Sequence, residues 1–331
     1  MSNKNFTYLL LITILLFVLA SISFLIQPKY ETSIEKGEII FSKAKEQINN
    51  INEIIIDDGK NKISISQNQN NWSMNSKSGY KVKNEVVRKN LIQISELRFS
   101  EKKTKEEFLY SRLDLDYPND EDGKSKLISI NNNNNENILE FVLGKRKKGG
   151  VYIKKLNEKQ TWLTSGTLDM SSIENDWLET KILEIEYNLI NKISVNHVKK
   201  EDSFSLTKDD KGENLLIDNL NKDQLPKSDL IANFFGYFLT NLVFNDVEKR
   251  KIPNDIDIIT KINFTFIDDS KLTAIIFNSG KEKWINFIRD DTALAEGKTF
   301  YVDNLNDWSY KLSSTKYNVT ETKLKDLLVE E

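Results

Sequence analysis

The chain has no cysteine and only one histidine, His197, in 331 residues. The first absence excludes disulfides, thiol nucleophiles and thiolate-held iron–sulfur clusters. The second leaves zinc centres and Ser-His-Asp triads almost without their commonest ligand and base. Glycine and proline are sparse, at 12 and 4, while Lys, Asn and Ile are used heavily. That bias reads as the base composition of an AT-rich genome and carries little functional information. Neither sign of charge dominates: 47 basic and 50 acidic residues are well mixed, for a net charge of -3. No basic field for nucleic acid is implied, and no nucleic-acid partner is expected. What the chain does hold is apolar material, 39% hydrophobic with 17 Phe, 11 Tyr and 5 Trp, enough to bury a core. Its length allows about two domains at roughly 100–200 residues each.

From Tyr8 through Leu16 to Ile26 the sequence runs 19 residues without a charge, interrupted only by Thr13, Ser21 and Ser23. At about 1.5 Å per residue this nearly spans a hydrocarbon core about 30 Å thick. A cleaved signal peptide has a shorter apolar region, about 7–15 residues, ending in small residues. Here Phe24, Leu25 and Ile26 follow the only small cluster, Ala20 to Ser23, so an uncleaved anchor over residues 1–27 is expected, with membrane lipid as its partner. Orientation stays open on charge alone. Lys4 precedes the span and Lys29, Lys36, Lys43 and Lys45 follow it. That count leans slightly against export, yet long domains translocate largely regardless of it.

Residues 28–50 read as a stalk or short helix, with Ile34, Phe41, Ala44 and Ile48 near one helical face. Alternating runs at Glu53–Asp57 and Lys62–Ser66, joined by Asp58-Gly59, predict a β-hairpin. A short strand follows around Trp72. Val86, Leu91, Ile94 and Leu97 predict an amphipathic helix from Asn84 to Leu97, and four runs between Lys126 and Thr164 predict an antiparallel meander. Much of this pattern recurs. Ile51 to Ile54 returns as Ile190 to Ile193, Leu97 to Ser100 as Leu242 to Asn245, and Lys126 to Ile130 as Lys261 to Thr265. Trp162 is matched with Phe300, and Asp176-Trp177 with Asp307-Trp308. The expected fold is therefore α+β: an N-terminal transmembrane helix, then two related modules of antiparallel sheet packed with helices, at 51–186 and 187–331.

Few residues suggest chemistry. Leu143 to Gly150 lacks the Lys and Ser/Thr that a phosphate loop needs after its second glycine, so it reads as a basic β-turn. Its four adjacent cations, Lys145 to Lys148, are of a kind that also touches anionic lipid or polysaccharide. The paired carboxylates at Asp114/Asp116, Asp120–Asp122, Asp209/Asp210, Asp268/Asp269 and Asp290/Asp291 read mostly as turns. His197 reads as a structural residue at a strand end, and the five Trp as packing residues more readily than sugar platforms. No catalytic residue, cofactor or metal site is expected.

Asn71-Trp72-Ser73-Met74, Gly79-Tyr80-Lys81-Val82 and the block Leu109-Tyr110-Ser111-Arg112-Leu113-Asp114-Leu115 with Pro118 together resemble the bacterial domain-of-unknown-function 4340 family. So do Leu143-Gly144-Lys145-Arg146, Gly150-Val151-Tyr152-Ile153, Thr161-Trp162-Leu163 and Asp176-Trp177-Leu178-Glu179, the resemblance being best over residues 50–185. It marks Trp72, Tyr110, Leu113, Leu115, Gly144, Lys145, Tyr152, Trp162 and Trp177 as motif residues for structure or interaction. It implies a single-span inner-membrane protein with a periplasmic domain, a binding or scaffold component beside ABC-type export or gliding-motility-like transporter subunits. An envelope polysaccharide or peptidoglycan module is the alternative expectation, and a carboxylate-based hydrolase the remotest.

Overall fold

A computed structural model describes residues 12–18, 37–69, 71–118, 123–289 and 299–329. The fold is mostly antiparallel β with some helices, in three sheets. The expected anchor lies largely outside the described residues, Tyr8 and Ile26 included. Residues 12–18 are helical, and Ile12, Ile14, Leu15, Leu16, Phe17 and Val18 are exposed. Among the described residues no helix is long and apolar enough to cross a membrane.

The first sheet contains β1 (Ile51–Asp57), β2 (Lys62–Asn68), β3 (Asn71–Met74), β4 (Tyr80–Lys81), β5 (Arg98–Lys102), β6 (Lys126–Asn132), β7 (Asn137–Lys147), β8 (Gly150–Lys155) and β9 (Thr161–Ser165), in the order β4-β3-β2-β1-β6-β7-β8-β9-β5. Alternation places Ile54, Ile56, Ile63 and Ile65 in the core. The predicted turn is locked by its own acids: Asp57 accepts from the Gly59 amide, and Asp58 from those of Lys60 and Asn61. The helix Asn84–Glu96 buries Val87, Leu91 and Ile94 against this sheet, with Val86 only partly covered.

β10 (Lys181–Ile185) forms a small second sheet with β14 (Leu242–Val243) and β19 (Thr299–Tyr301). The third sheet contains β11 (Ile190–His197), β12 (Phe204–Lys208), β13 (Leu215–Ile217), β15 (Asp246–Lys249), β16 (Ile258–Phe266), β17 (Lys271–Ser279), β18 (Glu282–Arg289) and β20 (Trp308–Lys311). Its order, β13-β12-β11-β16-β17-β18-β20-β15, repeats that of β3-β2-β1-β6-β7-β8-β9-β5 strand for strand. The irregularities repeat as well. A bulge separates Ile51, opposite Asn132, from Glu53, opposite Asn131; another separates Ile190, opposite Phe266, from Lys192, opposite Thr265.

Several sequence matches need correction. Ile54 faces Ile130 and Ile193 faces Phe264, so Ile130 corresponds to Phe264 and not to Thr265. A one-residue slip would have turned the buried side chains outward. Trp162 sits in β9, whose place is taken by β20, whereas Phe300 belongs to β19 in the small sheet. Trp177 ends a four-residue helix and Trp308 begins β20, so those two tryptophans are not equivalent. Where the first half has the helix Asn84–Glu96, the second has only the helix Asn233–Gly236 and turns. Of residues 28–50, those from 37 on are described; they hold the short helix Ser42–Glu46 and pack on the domain. Ile40, Phe41 and Ala44 are buried, and the Phe41 ring lies 4.7 Å from that of Phe141. The amide of Phe99 donates to Glu38 there, as that of Phe244 donates to Thr180 in the other half.

The halves share one hydrophobic core. Tyr80 of β4 inserts its ring between Phe244 and Trp308 at 5.3 and 4.8 Å, edge-on to both. Its hydroxyl is buried facing that of Tyr310, and burial raises both phenols well above their ordinary pKa. Neither oxygen completes a hydrogen bond among the described residues. Around this peg, Lys77 bridges Glu174 at 2.9 Å and Asp246 at 2.8 Å. Burial pulls the Lys77 pKa down, but Asp246 and Glu174 outweigh it and raise it. The Lys83 amide donates to Trp177, and the Glu179 amide to Lys81. Tyr80→Phe removes a hydroxyl that has no partner, so stability measured by urea unfolding with Trp emission should hold or rise by up to about 2 kcal/mol. Tyr80→Ala should lose about 3–5 kcal/mol.

Candidate functional site

The block Leu109 to Leu115 folds as a 3-10 helix, Glu107–Leu113, closed by Asp114 in the left-handed region at φ 54°. The Leu115 amide returns to the Tyr110 carbonyl at 3.0 Å, which folds Leu115 back under the helix. Tyr110 and Leu115 then pack with Val142 and Tyr152 in a second, smaller core that Leu113 partly covers. This core occupies the outer face of the first sheet: Phe141, Leu143, Val151 and Ile153 point to the main core, and Val142 and Tyr152 point the other way. Gly144 makes the docking possible. A Cβ there would stand 2.3 Å from the Leu113 carbonyl oxygen and 2.9 Å from the Leu115 side chain.

Five of the nine motif residues, Tyr110, Leu113, Leu115, Gly144 and Tyr152, are thus brought together. Val142 completes the group. The unbroken apolar run Phe141-Val142-Leu143 was its signal, because a strand covered on both faces loses its alternation. The Tyr110 hydroxyl donates to the Lys159 carbonyl at 2.6 Å. Beside it opens a groove of ≈ 540 Å³ lined by Glu107, Tyr110, Asp116, Tyr117 and Lys154. The Lys154 ammonium lies 5.6 Å from the centre of the Tyr110 ring. Burial lowers the Lys154 pKa against the opposing charge of Glu107, and burial followed by Glu107 raises that of Tyr110. The groove is lined by an ammonium, phenol edges and carboxylates.

The other motif residues lie apart. Trp72 and Tyr80 line a cleft of ≈ 210 Å³ between the halves, where Lys81 pairs with Asp303 at 3.1 Å. Trp162 packs on Phe99 with its indole nitrogen unpartnered among the described residues, and Trp177 donates to the Ser171 carbonyl at 2.8 Å. All five tryptophans are at most 8% exposed, so none presents a free face for a sugar. Lys145 is exposed on the β7–β8 hairpin. His197 has both ring nitrogens engaged, by the Thr322 carbonyl and the Thr260 hydroxyl. The carboxylates of Asp209 and Asp268 accept from amides of their own turns. Asp120–Asp122 and Asp290/Asp291 lie outside the described residues. Among the described residues no three or more His, Cys, Asp or Glu gather as a metal site.

Asp169 ties the helix to the hairpin by pairing with Lys89 at 2.6 Å and with Arg146. Lys89 first, against a smaller cost of burial, and then Gln93 and Arg146 hold its carboxyl down at about 2. A carboxyl held low in the folded state gives stability that is complete above the ordinary Asp value of 3.8 and is lost as the pH falls towards 2. Asp169→Asn should therefore make acid unfolding shallower over that interval. Gly144→Ala should lose about 1–3 kcal/mol in urea unfolding, because the Leu113 carbonyl is backbone and cannot swing aside.

No curated protein and no solved structure matches the chain. A family model described as domain of unknown function (DUF4340) matches residues 72–251, more than half of the chain. The match begins in β3, takes in the outer core and the joint around Tyr80, and ends after β15, so it reaches further into the second half than the motifs alone suggest. The chain belongs to the DUF4340 family.

Proposed function

We propose that the chain is a membrane-anchored periplasmic scaffold, an auxiliary component of an ABC-type transport or gliding-motility-like system, and that its domain is two copies of one module. The observation that carries the anchor is the 19-residue uncharged run Tyr8–Ile26. Its described part, residues 12–18, is helical with exposed apolar side chains, which supports the anchor reading. The shared strand order and shared bulge support duplication. A scaffold reading is supported by where the motif residues are used: in the outer core, at Gly144 and at the joint, where they fix shape.

Partner recognition falls to exposed apolar side chains. Ile252 and Ile256, on the loop entering β16, are 87% and 90% exposed. Tethering in one membrane raises local concentration, so such a contact needs little intrinsic affinity.

A C-terminal alkaline phosphatase fusion should be active, and an inactive one paired with an active C-terminal β-galactosidase fusion would overturn the periplasmic placement. A tagged full chain, cross-linked in membranes, should recover ABC-type permease or ATPase subunits. Ile252→Asp with Ile256→Asp should cut that recovery by about 10-fold or more while leaving the urea midpoint in place. Recovery of no transporter subunit by the unaltered chain would count against the scaffold.

A further inference from the structure

The β7–β8 hairpin runs past its neighbour. The last pair between β6 and β7 is Lys126 with Leu143, and β7 continues to Lys147. The overhang carries Lys145, Arg146, Lys147 and Lys148, all exposed. Arg146 is held by Asp169, whereas Lys145, Lys147 and Lys148 have no ion pair among the described residues. The tip is stiff. Gly149 takes φ 82° in the turn, and a Cβ on Gly150 would stand 1.8 Å from the Thr164 carbonyl oxygen. Asp169, the carboxylate that holds Arg146, is also taken up by Lys89. Nor does the fold require a basic tip: the corresponding turn of the other half, Ser279-Gly280-Lys281, has one cation.

The chain also enters the domain at this end. The Gly37 amide donates to the Phe99 carbonyl, and the Arg98 guanidinium to the Gly37 carbonyl. Arg98 pairs with Ser165, the Gly166 amide donates to Gly149, and Gly150 faces Lys147. Four strand spacings, about 19 Å, therefore separate the entry point at Gly37 from Lys147 of the basic hairpin. The ten residues between Ile26 and Gly37 reach no more than about 40 Å even when fully extended.

We infer that the Lys145–Lys148 hairpin docks on the anionic phospholipid headgroups of the membrane that holds the anchor, and so orients the domain. The inference rests on the membrane-anchored reading for its geometry and on the hairpin for its chemistry. Each cation near an anionic surface strengthens docking roughly five-fold, so the three free lysines together supply about 100-fold, attenuated by salt.

The absence of cysteine lets single labels be placed without background. The full chain with Ser165→Cys or Asn134→Cys, at opposite ends of the sheet, is labelled with a donor dye. It is reconstituted in phosphatidylcholine vesicles with or without about 30% phosphatidylglycerol and a headgroup acceptor. Energy transfer from Ser165→Cys should rise with phosphatidylglycerol at about 0.05 M salt. The rise should vanish at about 0.5 M salt and in the triple variant Lys145→Glu, Lys147→Glu, Lys148→Glu, while Asn134→Cys stays low throughout. Alkaline carbonate extraction reports the anchor separately. A chain that stays with the vesicles after carbonate but shows no lipid-dependent transfer overturns the docking and leaves the anchor standing. A chain that binds only anionic vesicles and is released by salt supports the docking and overturns the anchor. A chain that binds neither vesicle overturns both.

Discussion

The burial of Tyr80 against Phe244, Trp308 and Tyr310 is the constraint from which the rest of the domain follows. β4 is two residues long and lies at the edge of the first sheet, where an unpaired strand would otherwise be exposed. Driving its aromatic side chain into the other half converts that edge into a joint. The unpartnered hydroxyl is a cost that the surrounding ring contacts outweigh, and the Lys77 bridge to Glu174 and Asp246 fixes the angle at which the halves meet. Because one core runs through both halves, neither sheet is an independent unit, and the family match accordingly straddles the joint.

The two halves diverge where their surroundings differ. In the first, a thirteen-residue helix covers the sheet; in the second, the equivalent stretch shrinks to Asn233–Gly236, where the Tyr187 ring takes the space that a Cβ on Gly236 would need. In the first, residues 37–50 supply the segment that bonds to Phe99; in the second, β10 does so beside β14. One architecture thus receives its closing segment from the entry of the chain in one copy and from the linker in the other. That linker segment is also what forms the small second sheet.

How much was legible depended on periodicity. Ile54, Ile56, Ile63 and Ile65 alternate, and the Asp58-Gly59 turn joins them, so the first hairpin could be read directly. The long helix showed through Leu91 and Ile94. β10 was invisible because Ile182 and Leu183 are buried in succession, packed against different neighbours, which destroys a period of two. The helical spacing of Phe41, Ala44 and Ile48 corresponds to the short helix Ser42–Glu46, but it gave no sign that Ile39 bridges Arg98 in extended form and ties the segment to the sheet. The motif block gave the residues of the outer core but not their meeting, since Tyr110 and Gly144 are brought together only by the return of β7. The relation of Trp177 to Trp308 failed because two aromatic residues after acids carry no topological information.

The outer core and the basic hairpin are mechanically one feature. Gly144, the residue that admits the Leu113 carbonyl, is also the first residue of the overhang, and Lys145 follows it directly. Tyr152 of the same core lies two residues into the returning strand. Packing the Tyr110 block on this face therefore clamps both legs of the hairpin at its root, while Asp169 on Arg146 and the Thr164 hydroxyl on the Val151 backbone hold it nearer the tip. Without that clamp, an overhanging pair of strands would be marginally ordered and its charges would point in many directions. With it, the lysines keep a fixed direction relative to the point where the chain enters, so a motif that looks purely structural sets the orientation of the basic hairpin tip.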